Sequence, residues 1–141
     1  MKKYIVLPML CILLLAACGK SGSSPSIVGK WLLTRQATDA NGNGKIDSSE
    51  VTIVDTRQDY ELITFSPNGS IDILDTSNSP GGGSTYDHTI GTYIFDGKKI
   101  TVTSNGQTRS EGVTSLTSSS LIAGPDTSTT GLYWAIFSRQ P

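Results

Sequence analysis

The twelve residues Asp39 to Glu50, DANGNGKIDSSE, carry oxygen-bearing groups at a spacing that suits one hard cation. A twelve-residue calcium loop takes ligands from positions 1, 3, 5, 7, 9 and 12, and needs glycine at 6 for a sharp bend. Here those positions hold Asp39, Asn41, Asn43, Lys45 (through its backbone carbonyl), Asp47 and Glu50. Gly44 stands at the bend, and apolar Ile46 occupies position 8. Two asparagines replace the aspartates of tighter sites, and the Lys45 ammonium lies nearby. That low ligand charge predicts weak affinity, about 10⁻⁴ to 10⁻³ M. The competing reading is a polar surface turn, which also prefers Asp, Asn and Gly. The residues favour calcium held as a structural clip.

Little else in the chain offers chemistry. No serine lies in a nucleophile-elbow pattern, and His88 is the one histidine, so neither a catalytic triad nor a histidine metal set can form. His88 falls in SNSPGGGSTYDHT, which reads as a long glycine-rich loop, where a lone histidine is solvated. The loop is a flexible surface segment, with a lid at a barrel mouth as the alternative. Gly19-Lys20-Ser21 resembles the tail of a phosphate loop, but Leu14 stands where that loop needs glycine. Asp55, Asp59 and Glu61 suggest a carboxylate pair for glycoside hydrolysis, yet their spacing near a strand start reads as solvated charges on its outer side. The expectation is a protein that is not an enzyme.

The first residues, MKKYIVLPMLCILLLAACGK, combine a basic start with an apolar run too short to stay in a bilayer as a spanning helix. The run ends in Leu15-Ala16-Ala17-Cys18, which resembles the lipobox of bacterial lipoproteins. That resemblance implies removal of residues 1–17, acylation of Cys18 and a membrane partner reached through the lipid. Residues 18–25 then form a lipidated tether rich in glycine and serine. Cleavage removes Lys2 and Lys3, leaving nine basic against twelve acidic residues and no basic footprint for nucleic acid. Cys11 leaves with the leader and Cys18 becomes the anchor. Disulfides and thiol chemistry are therefore excluded from residues 26–141.

Those residues read as one small all-β domain. Apolar alternation of period two recurs, broken by turn dipeptides. GKWLLTR puts Gly29, Trp31 and Leu33 on one face; SIDILD sets Ile71 and Ile73 against Asp72; KKITVTS aligns Ile100 and Val102. GLYWAIFSR puts Leu132, Trp134 and Ile136 on one side, Tyr133 and Phe137 on the other. Asn68-Gly69, Asp96-Gly97 and Asn105-Gly106 are hairpin signals, since both turn positions favour positive φ. Such a meander predicts an antiparallel up-and-down barrel, because closure removes exposed sheet edges.

IVGKWLLT, ELITFSPNGSIDIL, GTYIFDGKKITVT and a terminal aromatic strand ending in Arg139, following a lipobox and short tether, resemble the lipocalin-like lipoproteins of Bacteroidetes. The resemblance implies that Trp31 packs across the closed end of the barrel beneath Arg139. It also implies an outer-membrane location, with the periplasmic face favoured because no acidic residue follows Cys18 closely. The calcium loop follows a strand here, whereas helices flank it in a true EF-hand. Two functions fit: a barrel that binds a small apolar ligand or an envelope partner, and a filled barrel acting as a structural or interaction element. The sequence sets no oligomeric state.

Overall fold

The protein is described from a computed structural model covering residues 24–78, 83–126 and 132–141. The expected leader, Cys18 and much of the tether lie outside the described residues, as do residues 79–82 of the glycine-rich segment. The strands are β1 (Gly29–Thr38), β2 (Val51–Ile53), β3 (Asp59–Phe65), β4 (Ser70–Asn78) and β5 (Ser84–Phe95). They continue with β6 (Lys99–Ser104), β7 (Gln107–Leu116), β8 (Ser120–Asp126) and β9 (Tyr133–Gln140). A single 3₁₀ turn, Ser48–Glu50, precedes β2.

Eight strands close on themselves in the order β1, β3, β4, β5, β6, β7, β8, β9, and β9 pairs back onto β1. Every pairing is antiparallel, and short β2 adds to the end of β1 through Arg35, Gln36 and Ala37. The seam runs from Lys30 opposite Gln140 to Thr38 opposite Tyr133, with one bulge between Leu33 and Arg35. Closure leaves no long open edge for another chain to extend. The hairpin dipeptides do what their chemistry requires. Asn105 and Gly106 both take positive φ, 50° and 75°, and Gly69 and Gly97 lie at 83° and 95°.

The interior follows from the alternation of the strands. Trp31 and Leu33 of β1, Phe65 of β3, Ile71 of β4, Ile100 of β6, Leu121 and Ala123 of β8 and Phe137 of β9 form one buried cluster. Ile27, just before β1, joins it. Phe65 and Tyr93 pack edge to face, with ring centroids 4.8 Å apart. Trp134 and Ile136 alternate with Phe137, so they lie on the opposite face of β9, where they too are buried. Elsewhere the outer wall exposes large apolar side chains at Ile53, Tyr86, Ile90 and Ile94.

Two expectations need correction. The segment read as a long loop is mostly strand: β4 runs on to Asn78 and β5 starts at Ser84, with Ser84 to Thr92 paired along β4. His88 therefore sits on a strand, hydrogen-bonded to Asp72 at 3.0 Å, rather than free in a loop. Glu61 is not an outer solvated charge, because it shares the inner face with Ile63 and Phe65. Asp55 is exposed as expected, and Asp59 is exposed too but lies on the same face of β3 as Glu61.

Trp31 has no exposed surface. Trp31→Ala removes the largest fully buried side chain and should cost roughly 3–5 kcal/mol, the range for deleting a core aromatic. Urea unfolding of the two proteins measures the difference; a loss under about 1 kcal/mol would mean that Trp31 is not part of the packed core.

Candidate functional site

Three features of the barrel could do chemistry: its closed floor, its inner wall and the loop at its mouth. The floor lies where β1 begins and β9 ends. The Arg139 guanidinium carbon stands 4.3 Å from the centre of the Trp31 ring. A cation over an indole face is attracted by the ring quadrupole, more strongly when water is excluded. Arg139 also donates to the carbonyl of Val28 at 2.8 Å and to that of Ser26. The Trp31 indole N–H donates to the carbonyl of Ile27 at 2.7 Å. Chain entry and chain end are thus tied to the same two side chains. Gly29, at φ 139°, leaves room for this: a Cβ there would lie 2.5 Å from an Arg139 nitrogen. The Arg139 Nε is buried and has no hydrogen-bond partner among the described residues.

Above the floor the wall changes character. Ile63 lies opposite Ile73, and Val102 opposite Tyr93, all on the inner face and all only partly buried. The Tyr93 hydroxyl donates to the Ser66 carbonyl at 3.0 Å, and burial pushes its phenol pKa up. One step further along β3, Glu61 faces Asp75, which in turn faces Asp87 on β5. Three carboxylates therefore stand in a row across three strands. Glu111 sits opposite inward-facing Ile100 on β7, four strands round the ring. Burial pushes the Glu61 carboxyl up to about 7, with further contributions from the charges of Asp75 and Glu111. Arg109, opposite Val102, is the cation nearest along that face of β7.

The loop from Asp39 to Glu50 leaves the end of β1 at the mouth. The Asp39 N–H donates to the Leu132 carbonyl at 2.9 Å, which fixes the loop to the chain entering β9. Its buried carboxylate accepts the N–H groups of Asn43 and Gly44 at 3.1 and 2.8 Å. The Asn41 and Asn43 side-chain amides each donate to one Asp47 oxygen at 2.8 Å. Glu50 reaches back to the N–H groups of Ala40, Asn41 and Asp47. The Asn43 amide oxygen accepts the Lys45 N–H at 2.8 Å, turning the backbone at position 7. Gly44 takes φ 74°, the bend that position 6 requires.

The structure therefore gathers Asp39, Asn41, Asn43, Asp47 and Glu50 into one hydrogen-bonded loop, with the Lys45 N–H donating to Asn43. Among the described residues no group of three or more His, Cys, Asp or Glu side chains is placed to hold a metal ion. A cation here would need the amide and carbonyl oxygens as well as the carboxylates. Such a mixed oxygen set fits calcium and not zinc. As the loop stands, the Asp47 charge is met by two amide N–H groups.

Comparison with known proteins places the chain. Residues 27–123 match the family described as a lipocalin-like domain. A lipocalin-like protein from Bacteroides uniformis is 19% identical, with TM-score 0.51, over 80% of this chain and 97% of that one. An uncharacterized protein from Bacteroides eggerthii is 18% identical, with TM-score 0.50, over 82% of this chain and all of that one. No curated protein matches the sequence.

Glu61 generates a test with a definite sign. Its carboxyl holds a proton more tightly folded, at about 7, than at the ordinary value of 4.5. The resulting stability is complete below about 4.5 and is lost as pH rises through about 7. The barrel should melt lower at pH 8 than at pH 5, by at most about 3 kcal/mol and less where water screens the partly exposed side chain. Glu61→Gln keeps the neutral form and should flatten that slope, leaving the variant the more stable protein at pH 8. A wild-type melting temperature that rises from pH 5 to 8, and rises equally in the variant, would contradict the inward, desolvated placement.

Proposed function

This chain belongs to the lipocalin-like domain family, and on that premise we propose that it binds a small apolar or amphipathic molecule inside the barrel. The inner wall carries the reading. Ile63, Ile73 and Val102 face inward on a closed sheet yet keep exposed surface, and an interior packed to protein density would leave them none. An apolar tail laid along Ile63, Ile73 and Val102, above the packed floor, gains about 25 cal/mol for each Å² removed from water. The polar end of the ligand then meets Glu61, Asp75 and Asp87, with Glu111 across the ring. Arg109 offsets only part of that charge, so a neutral or cationic head group fits better than a carboxylate.

Two further parts belong to the proposal. Acylated Cys18 holds the barrel on the outer membrane, at its periplasmic face. The loop from Asp39 to Glu50 binds calcium and stiffens the mouth. Asp39, Asp47 and Glu50 would hold the ion with the Asn41 and Asn43 amides and the Lys45 carbonyl. When bound, the ion supplies the positive charge that the carboxylates otherwise draw from neighbouring N–H groups.

The ligand reading is tested with N-phenyl-1-naphthylamine, a neutral probe that brightens in apolar surroundings. Saturable brightening is expected. At pH 8 a long-chain alkylamine should displace the probe at lower concentration than the fatty acid of the same length. Val102→Trp should abolish the signal while the protein keeps its melting temperature, since the added ring fills open space. No saturable signal in the wild type, with Val102→Trp strongly destabilised by overpacking, would establish the filled barrel.

Calcium is tested by thermal melting. Binding to the folded state alone stabilises it by RT ln(1 + [L]/Kd), about 1.4 kcal/mol for a Kd near 10⁻⁴ M and roughly millimolar calcium. A rise of several degrees is expected, with magnesium doing less because it demands a tighter octahedron. Glu50→Gln should remove most of the shift, and Lys45→Ala should keep it, since position 7 offers only its carbonyl. Equal melting in calcium and in chelator would leave the loop a turn.

A further inference from the structure

We propose that the closed floor of the barrel is a docking surface for an anionic lipid bilayer, so that the lumen opens away from the membrane. The inference rests on the reading that Cys18 is acylated, and two independent observations carry it. The first is where the chain enters. Ile27 is buried in the core cluster, and Arg139 holds the carbonyls of Ser26 and Val28, so the chain joins the barrel at the floor. Eight residue steps separate Cys18 from Ser26, at most ~28 Å when fully extended. β1 alone rises about 30 Å along its length, or ~23 Å along the axis of a barrel with tilted strands. A lipid at Cys18 could bring the mouth to the bilayer only if the tether lay stretched along the whole wall. The floor needs no such stretch.

The second observation is the division of charge. Lys30 stands at the floor end of β1, and Lys98 and Lys99 lie at the β5–β6 turn across the ring, all three exposed. Arg139 adds a fourth cation. Against them this end offers Asp96, and Asp72 on the outer wall, which is bonded to His88 at 3.0 Å. The mouth half carries Asp39, Asp47, Glu50, Asp55, Asp59 and Asp87, with Glu61, Asp75 and Glu111 inside, against the cations Arg35, Lys45, Arg57 and Arg109, so it stays net acidic. An anionic surface attracts exposed lysines within about a Debye length and repels such a rim. Anchor position and field therefore select the same orientation. Lysines on opposite sides of the floor suit a flat surface better than a compact ligand.

The test uses the acylated protein reconstituted in phosphatidylcholine vesicles with and without phosphatidylglycerol. Its only native cysteine is blocked by lipid, so one dye can be placed at Ser118→Cys near the floor or at Gln107→Cys at the mouth. With a head-group spin-labelled lipid as quencher, the Ser118 dye should be quenched several-fold more than the Gln107 dye. The gap should widen with phosphatidylglycerol and shrink in high salt. Replacing Lys30, Lys98 and Lys99 by Gln should weaken the phosphatidylglycerol effect by roughly fivefold per lysine, at an unchanged melting temperature. Equal quenching, or stronger quenching at the mouth, overturns the proposal. Mass spectrometry of the N-terminal peptide reports the anchor separately. If Cys18 proves bare, the unacylated Cys18→Ser chain must still bind phosphatidylglycerol vesicles at low salt through the Ser118 side, and failure to do so sinks the surface as well.

Discussion

The seam between the first and last strands is the constraint on which this molecule depends. An eight-stranded sheet of short, Ser- and Thr-rich strands has little apolar surface to spare, and only closure removes its two free edges. The seam is held at its floor by Arg139, a charge that must find compensation when it leaves water. The Trp31 ring and two backbone carbonyls of the entering chain supply most of it. The same contacts place Ile27 in the core and fix where the chain enters. Floor, core and chain entry thus share one set of contacts, and the unpartnered Nε of Arg139 is the imperfection they leave.

From that seam upward the interior grades from aromatic to aliphatic to acidic. Packing explains the first two layers. The third works against stability, since Glu61, Asp75 and Asp87 face one another and burial holds the Glu61 carboxyl at about 7. Side chains chosen for stability alone would not place like charges opposite one another. A barrel that receives a ligand from the mouth has a use for such a rim, because it selects head groups. Asp39, hydrogen-bonded through its N–H to the Leu132 carbonyl, sets the Asp39–Glu50 loop beside the same mouth. In the function proposed above, floor, lumen and rim take three separate tasks: attachment, burial and selection.

Much of this was legible in the residues. The turn dipeptides located the β3–β4, β5–β6 and β6–β7 connections, because a positive φ leaves a mark in Gly and Asn. Trp31 and Arg139 could be paired from the family likeness alone. Strands β7 and β8 were not legible, since QTRSEGVTSL and SLIAGPD carry few apolar residues, and their bulges break the period near Val113 and Ala123. The β4–β5 hairpin ran further than expected for a related reason: Thr85, Asp87 and Thr89 are polar residues on a polar inner wall, so no alternation announced a strand. Glu61 was misread as solvated because an inward carboxylate looks, in sequence, like any charge near a strand start. Only the register opposite Asp75 revealed it.

The central claim is that the lumen is an open cup over a tryptophan floor, and one measurement addresses it most directly. A long-chain alkylamine labelled with carbon-13 at its terminal methyl can be followed by nuclear Overhauser effects to the protein. Contacts are predicted from that methyl to the partly buried Ile63, Ile73 and Val102 side chains, with the amine end near Glu61. Contacts confined to the outer wall at Tyr86, Ile90 and Ile94, with none to Ile63, Ile73 or Val102, would contradict it.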